Sequence, residues 1–268
     1  MSLSNQLESS KDTIQKSLFI GKARWERLVE KVSQAERTQV TDFKDEQILT
    51  FLVCAAYAFA ESLGVDRLSR LLSNGRVPSE QIWFEVLPYP TRQHEGNTNL
   101  DLAFGSISLR PYSKGGIQLL ADDNTAICFC ECKWLSDISL GVSNDIHRNQ
   151  MARVIENALL FADASGNFAD AVVFTLVTPA VFKNRAQFSR HYQYKWNDYQ
   201  NSELLTADFR SCGLELRGDL PKPSSRLSSL ELNWVSYEEL VLGAPPSPLQ
   251  KEVYEFFKNL AVVEFPGG

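Results

Sequence analysis

Two apolar runs with one helical stretch between them restrict this chain more than any other feature. Ala126 to Trp134 (AICFCECKW) is rich in residues that suit a strand. Asp170 to Thr178 (DAVVFTLVT) is almost continuously apolar and is bounded by Asp and Pro179, the pattern of a strand covered on both faces. Between them, Asp145 to Ala162 places Ile146, Val154, Ile155, Ala158 and Phe161 on or near one helical face. A strand, a helix and a strand in this order predict a right-handed parallel unit.

The other elements fit around that unit. Gln81 to Pro88 (QIWFEVLP) and Asn99 to Leu109 (NLDLAFGSISL) read as strands separated by turn residues. Upstream, Asp45 to Gly64 reads as one helix, apolar on all sides, with Gly64 just past its end. A short helix follows over Asp66 to Ser73, and Asp12 to Glu36 has helical spacing through Leu18, Trp25, Leu28, Val29 and Val32. Beyond Pro179, Val181 to Tyr199 reads as helical and Leu230 to Val235 as a last strand. Ser236 with Glu239 forms a capping-box pattern, and Ser247, Pro248 and Gln250 open a final helix over Glu252 to Val262. The expectation is a single α/β domain with a mixed central sheet flanked by helices. Residues 1–44 would be a helical extension, 45–180 the core and 181–268 a C-terminal α/β elaboration.

Charge and cysteine content narrow the function classes. The 268 residues carry 27 Lys plus Arg against 33 Asp plus Glu, a net charge of −6. Taken alone, this balance argues against a nucleic-acid binder, which usually has a basic excess. The five cysteines include no C-x-x-C pair, and Cys128, Cys130 and Cys132 alternate along one strand. Straight-strand spacing does not converge thiolates on a metal, so they read as core residues. The three histidines form no H-x-x-x-H pair. The longest apolar stretch, Ile48 to Ala60, falls short of the ~18 residues needed to span a bilayer. With a polar stretch over Met1 to Lys16, the expectation is a cytoplasmic protein with no membrane association.

Chemistry concentrates on the Ala126–Trp134 strand. Alternation puts Ile127, Phe129, Glu131 and Lys133 on one face and Cys128, Cys130, Cys132 and Trp134 on the other. Two charges on an apolar strand are costly to bury unless paired or bound. The preceding strand adds Asp101, whose face continues through the small residues Ala103 and Gly105. The competing reading is a salt bridge, Lys133 pairing with Asp101 or Glu131 on a solvated sheet face.

Asp101 followed by Glu131-Cys132-Lys133 is a D…E-x-K arrangement on adjacent strands. With the order helix, three strands, helix, strand over roughly residues 45 to 180, it resembles the PD-(D/E)XK nuclease superfamily, the restriction-endonuclease-like fold. That resemblance implies an αβββαβ core and Mg²⁺- or Mn²⁺-dependent hydrolysis of DNA. Asp101, Glu131 and the main-chain carbonyl of Cys132 would offer hard oxygen ligands to the metal. Lys133 would serve the nucleophilic water and the charge that builds on the phosphate. Leu100 stands where the family's motif has Pro.

Many members add a Glu from the first core helix, for which Glu61 is the candidate; its other reading is a solvated helix end. Glu85 is a weaker alternative. Some branches carry a Gln followed four residues later by a Tyr on the helix after the motif. Here Gln150 is followed by Val154, so Gln150 is a candidate site residue and half the pattern is present. A basic rim for DNA is expected from Arg148 and Arg153 and from Lys183, Arg185, Arg190 and Lys195, the last four interleaved with aromatic residues. An amphipathic helix packing its aromatics inward is the alternative there. Two cuts in a duplex would favour a homodimer. Other functions compatible with the pattern are an inactive nuclease-like module that binds nucleic acid or a protein, and an enzyme acting on a small phosphorylated substrate.

Overall fold

The computed structural model describes residues 2–38, 43–138, 149–184, 190–263 and 265. In chain order the elements are α1 (Leu3–Ser9), α2 (Lys11–Ser17), β1 (Leu18–Phe19), α3 (Lys22–Thr38), α4 (Glu46–Ala58), α5 (Glu61–Leu72), β2 (Ile82–Val86), β3 (Leu100–Gly105), β4 (Ile107–Leu109), β5 (Ile117–Leu119) and β6 (Ala126–Cys132). They continue with α6 (Gln150–Leu159), β7 (Ala171–Thr178), α7 (Ala180–Asn184), α8 (His191–Tyr199), α9 (Ser202–Ser211), β8 (Leu230–Ser236), α10 (Tyr237–Gly243) and α11 (Pro248–Lys258).

A mixed sheet of six strands, in the order β1-β2-β3-β6-β7-β8, runs through the molecule. The β2–β3 and β3–β6 pairs are antiparallel, whereas β6, β7 and β8 run parallel. The strand–helix–strand unit expected from the sequence is therefore β6–α6–β7. Alternation along β6 divides the core as the sequence implies. Cys128, Cys130 and Cys132 pack with Leu102, Val173 and Val177 under α4 and α11. Ile127 and Phe129 pack with Ala103, Phe174 and the apolar side of α6 on the other face. All five cysteines are free and buried. Both sheet edges come from outside residues 45–180: β1 precedes that span and β8 follows it.

Cap signals in the sequence work as read. Ser236 and Glu239 exchange hydrogen bonds of 3.1 and 2.6 Å at the start of α10, and Ser247 Oγ accepts from the Gln250 amide at 3.0 Å. Three breaks were not visible. The expected helix over Asp45 to Gly64 ends at Ala58 and restarts as α5, with Glu61 at a φ of +56°. Gly64 is not a helix terminus: it lies buried inside α5, where a Cβ would sit 2.0 Å from the Tyr57 carbonyl oxygen. Its smallness lets α5 approach α4 closely. Likewise, the expected strand Asn99 to Leu109 divides at Gly105, whose φ of +105° turns the chain from β3 into β4. A Cβ there would meet the Ala126 carbonyl oxygen at 2.2 Å. The expected helix over Asp12 to Glu36 is interrupted because Leu18 and Phe19 leave it to pair with Ile82 and Trp83.

A buried ion pair ties the chain after β2 to α6. Arg92 donates to Glu156 through Nε and Nη2, each at 2.7 Å, and also to the carbonyls of Phe209 and Leu214 at 2.8 and 2.5 Å. Thr91 Oγ1 donates to the same Glu156 carboxylate at 3.0 Å. Among the described residues, no helix is long and apolar enough to cross a membrane.

Candidate active site

The antiparallel register of β3 on β6 pairs Leu102 with Cys130, so the next step along sets Asp101 opposite Glu131. Directly opposed residues on antiparallel strands share a face. The two carboxylates thus project to the same side of the sheet, at the end where the β6 chain leaves for α6. Asp101 is half-buried, and its Oδ2 accepts from the Cys132 amide at 2.7 Å. Glu131 is 1% exposed and Lys133 6% exposed. Lys133 Nζ lies 2.8 Å from Glu131 Oε1, and the Lys133 amide donates to the Val177 carbonyl at 2.8 Å. The solvated surface salt bridge considered as a competing reading does not describe this pair, because both partners are buried.

A third carboxylate arrives from the first core helix, but from its opposite end. Glu46, in the first turn of α4, has Oε1 3.4 Å from Lys133 Nζ. Its Oε2 accepts from the Trp134 amide at 3.0 Å and from Ser136 Oγ at 2.7 Å. Asp45 caps this helix by accepting from the Ile48 amide at 3.3 Å, which fixes where the first turn sits. Glu61, the candidate from sequence, is instead an exposed residue at the start of α5, paired with Lys16 at 3.3 Å. The helix expected over Asp45 to Gly64 has acidic residues near both ends, and only its division into α4 and α5 and the packing of α4 against the sheet select Glu46. Glu85 belongs to a different ion pair, with Arg24 Nε at 2.7 Å.

Three carboxylates around one ammonium leave an excess of negative charge in a poorly hydrated place. Burial, then the neighbouring Glu131 charge, push Asp101 well above the usual carboxylate range, against the pull of Lys133 and the Cys132 amide. Glu131 is also raised, burial outweighing the attraction of Lys133 and Arg153. Burial alone would lower Lys133, but Glu131, Glu46 and Asp101 outweigh it and raise it, so the ammonium stays charged at neutral pH. Cys130 and Cys132 have thiols pushed well up by burial, which keeps them protonated.

The donor set suits a hard divalent ion. Glu131 Oε2 is buried and has no hydrogen-bond partner among the described residues. No group of three or more His, Cys, Asp or Glu side chains there could hold a metal by itself. Mg²⁺ asks for less: it is commonly held by one or two carboxylates and keeps several waters. Asp101 and Glu131 with the Cys132 carbonyl meet that requirement.

Four of the six residues expected to form a DNA rim lie among the described residues, and each has a partner within the fold. Arg153 points at Glu95, with Nε 3.3 Å from Oε1, and is largely buried. Lys183 pairs with Glu239 at 3.0 Å, Lys195 with Asp208 at 2.8 Å, and Arg190 lies over the Phe182 ring at 4.6 Å. These side chains are engaged with acidic and aromatic residues of the fold, while of the aromatics expected to pack inward Tyr194 is exposed. Tyr192 and Tyr199 are buried beneath them. Gln150 is the half-buried first residue of α6, following the Asn149 cap. Arg148 and Arg185 lie outside the described residues. Comparisons of the chain with protein-family models, with curated proteins and with solved structures found no match.

Proposed function

We propose that this chain is a metal-dependent nuclease of the PD-(D/E)XK type that hydrolyses phosphodiester bonds in DNA. The observation that supports this reading best is the convergence of Asp101 and Glu131 from opposed positions on two strands beside Lys133 and Glu46. The order α4, β2, β3, β6, α6, β7, with β2-β3-β6-β7 adjacent in the sheet, is compatible with a restriction-endonuclease-like core.

Asp101, Glu131 and the Cys132 carbonyl would hold Mg²⁺ or Mn²⁺. Such an ion, when bound, polarises a phosphate oxygen and makes a coordinated water more acidic. Lys133 acts as a fixed cation and hydrogen-bond donor, not as a base, because its neighbours keep it protonated. Its ammonium offsets negative charge as the phosphorus centre becomes five-coordinate, and a donor already in place needs no reorganisation to do so. Glu131 and Glu46 hold that ammonium from two sides. The Cys132 amide aligns Asp101 through its 2.7 Å bond.

The direct test is relaxation of supercoiled plasmid by the purified chain in Mg²⁺ or Mn²⁺ and in EDTA. Cutting is expected only with the metal, and Asp101→Ala is expected to lose it by roughly 100-fold or more, as removal of a positioned electrostatic group does. A wild-type chain that cuts nothing, or a variant that cuts equally well, would sink the assignment.

The raised carboxylates add a pH dependence with a definite sign. In the metal-free protein Asp101 and Glu131 retain protons above the ordinary carboxylate range. A divalent ion binds only the ionised forms, so its binding must release those protons. Mg²⁺ affinity is therefore expected to rise with pH from the usual carboxylate range through the raised values and then level off. Titration calorimetry in two buffers of different ionisation enthalpy should detect the released protons. Affinity independent of pH over that window would contradict the site.

A further inference from the structure

Of the predicted rim, Arg153, Lys183 and Lys195 are in ion pairs and Arg190 lies over the Phe182 ring, so a surface whose cations are unpaired is the stronger candidate for holding DNA. A cavity of about 670 Å³ opens between the beginning of α3 and the turn joining β4 to β5, with the end of β2 as its floor. Lys22, Arg24, Arg27 and Lys114 line it, against a single acid, Glu85. Glu85 is neutralised by Arg24 at 2.7 Å. Lys22, Arg27 and Lys114 make no ion pair among the described residues, and Lys22 and Arg27 are exposed. In a chain with a net charge of −6, this is a local reversal of sign.

The first turn of α3 holds Lys22 and Arg24 and no acidic residue. Cations are unfavourable at this end of a helix, where the unpaired amides already present partial positive charge. Local sequence choices that oppose local stability are typical of positions kept for a ligand. An anion seated there would relieve the repulsion. Opposite, the β4–β5 turn carries Tyr112, fully exposed with a φ of +60°, two residues before Lys114. A bulky residue in that backbone region is strained, and the side chain is presented to solvent instead of the core.

The cavity also reaches the start of the strand that carries Asp101. Asn99 lines it, two positions before Asp101, and Val86 on its floor pairs with Leu100. We propose that this cleft binds the phosphate backbone of duplex DNA as the strand leads to Asp101. The inference rests on the nuclease reading for its substrate class and adds the surface by which an acidic protein holds that substrate. Phosphates would lie between Lys22 and Arg27 on one wall and Lys114 on the other.

The test is fluorescence anisotropy of a labelled duplex with the full chain in EDTA, which separates binding from cutting, across a salt series. Lys22→Glu with Lys114→Glu is expected to weaken binding by about tenfold or more and to make the salt dependence shallower by about two units of slope, one for each lost phosphate contact. Lys251→Glu, on the exposed side of α11, is expected to change affinity less than about twofold. Thermal melts check that each variant folds. Wild-type affinity in the double variant, or an equal loss in the α11 control, would overturn the cleft and leave the nuclease reading standing. Binding that depends on the cleft without any metal-dependent cutting would support the cleft and overturn the catalytic reading. A wild-type chain that does not bind the duplex would overturn the cleft, and plasmid cutting in Mg²⁺ decides the nuclease reading separately.

Discussion

Lys133→Met is expected to lower DNA cleavage by about 1,000-fold, the upper range for loss of one preorganised transition-state donor. The variant should still fold, for an electrostatic reason. Methionine fills much of the lysine stem's volume, so the packing of the aliphatic part is kept. Glu131 then has no ammonium at 2.8 Å, but its affinity for a proton is already raised by burial and would rise further. It can become neutral at modest cost, unlike a buried charge that has no such escape. Lys133→Arg separates the chemical from the structural role. It keeps a cation to pair with Glu131 and Glu46, so a residue that merely braces the fold would be rescued. A planar guanidinium cannot place a compact donor where the ammonium was, so cleavage is expected to stay low. Single-turnover plasmid cutting, read beside thermal melts of the three proteins, decides the matter. Full activity in Lys133→Arg would remove Lys133 from the chemistry.

Arg92→Met carries the largest expected loss of stability, about 3–5 kcal/mol, because it strands a buried partner. Glu156 is fully buried and accepts two hydrogen bonds from Arg92 and one from Thr91. Arg92 also satisfies the carbonyls of Phe209 and Leu214. Removing the guanidinium leaves a carboxylate and two carbonyls to be solvated or left unpaired. The same side chain joins three parts of the chain, namely the stretch after β2, α6 and the end of α9. Loss should therefore loosen residues near 209–217 before global unfolding. Urea denaturation measures the first effect and amide hydrogen exchange the second. Combining Arg92→Met with Glu156→Leu should restore much of the stability, since a buried pair replaced on both sides by apolar residues is often close to neutral. A single variant as stable as wild type would show that the pair is weak.

The β6–α6–β7 unit was legible because its signals are local and strong. The almost continuously apolar run from Asp170 to Thr178 can be satisfied only by cover on both faces, and alternation along β6 assigns Glu131 and Lys133 to one side without knowledge of the rest. The α10 and α11 caps were legible for the same reason: each needs only a hydroxyl three residues before an orphan amide. The division of α4 from α5 was not. Nothing in the sequence between Ala58 and Gly64 forbids a continuous helix, and the break at Glu61 arises where α5 folds back on α4 against Tyr57. The shift from β3 into β4 at Gly105 likewise depends on how closely Ala126 approaches.

For the site, the sequence by itself determined the three residues that neighbouring strands bring together, Asp101, Glu131 and Lys133. Strand periodicity is a property of the backbone, and β3 and β6 are neighbours in the main sheet, with β4 and β5 paired apart from it. Only the tertiary structure decided which end of the first core helix meets them, and hence Glu46 over Glu61. It also decided where the positive charge is spent. Whether a lysine faces solvent or a carboxylate depends on partners distant in sequence, such as Glu239 for Lys183 and Asp208 for Lys195. Composition counts charges; the fold alone cancels some and leaves Lys22, Arg27 and Lys114 uncancelled beside Asp101's strand, because pairing is a matter of a few ångströms and not of sums.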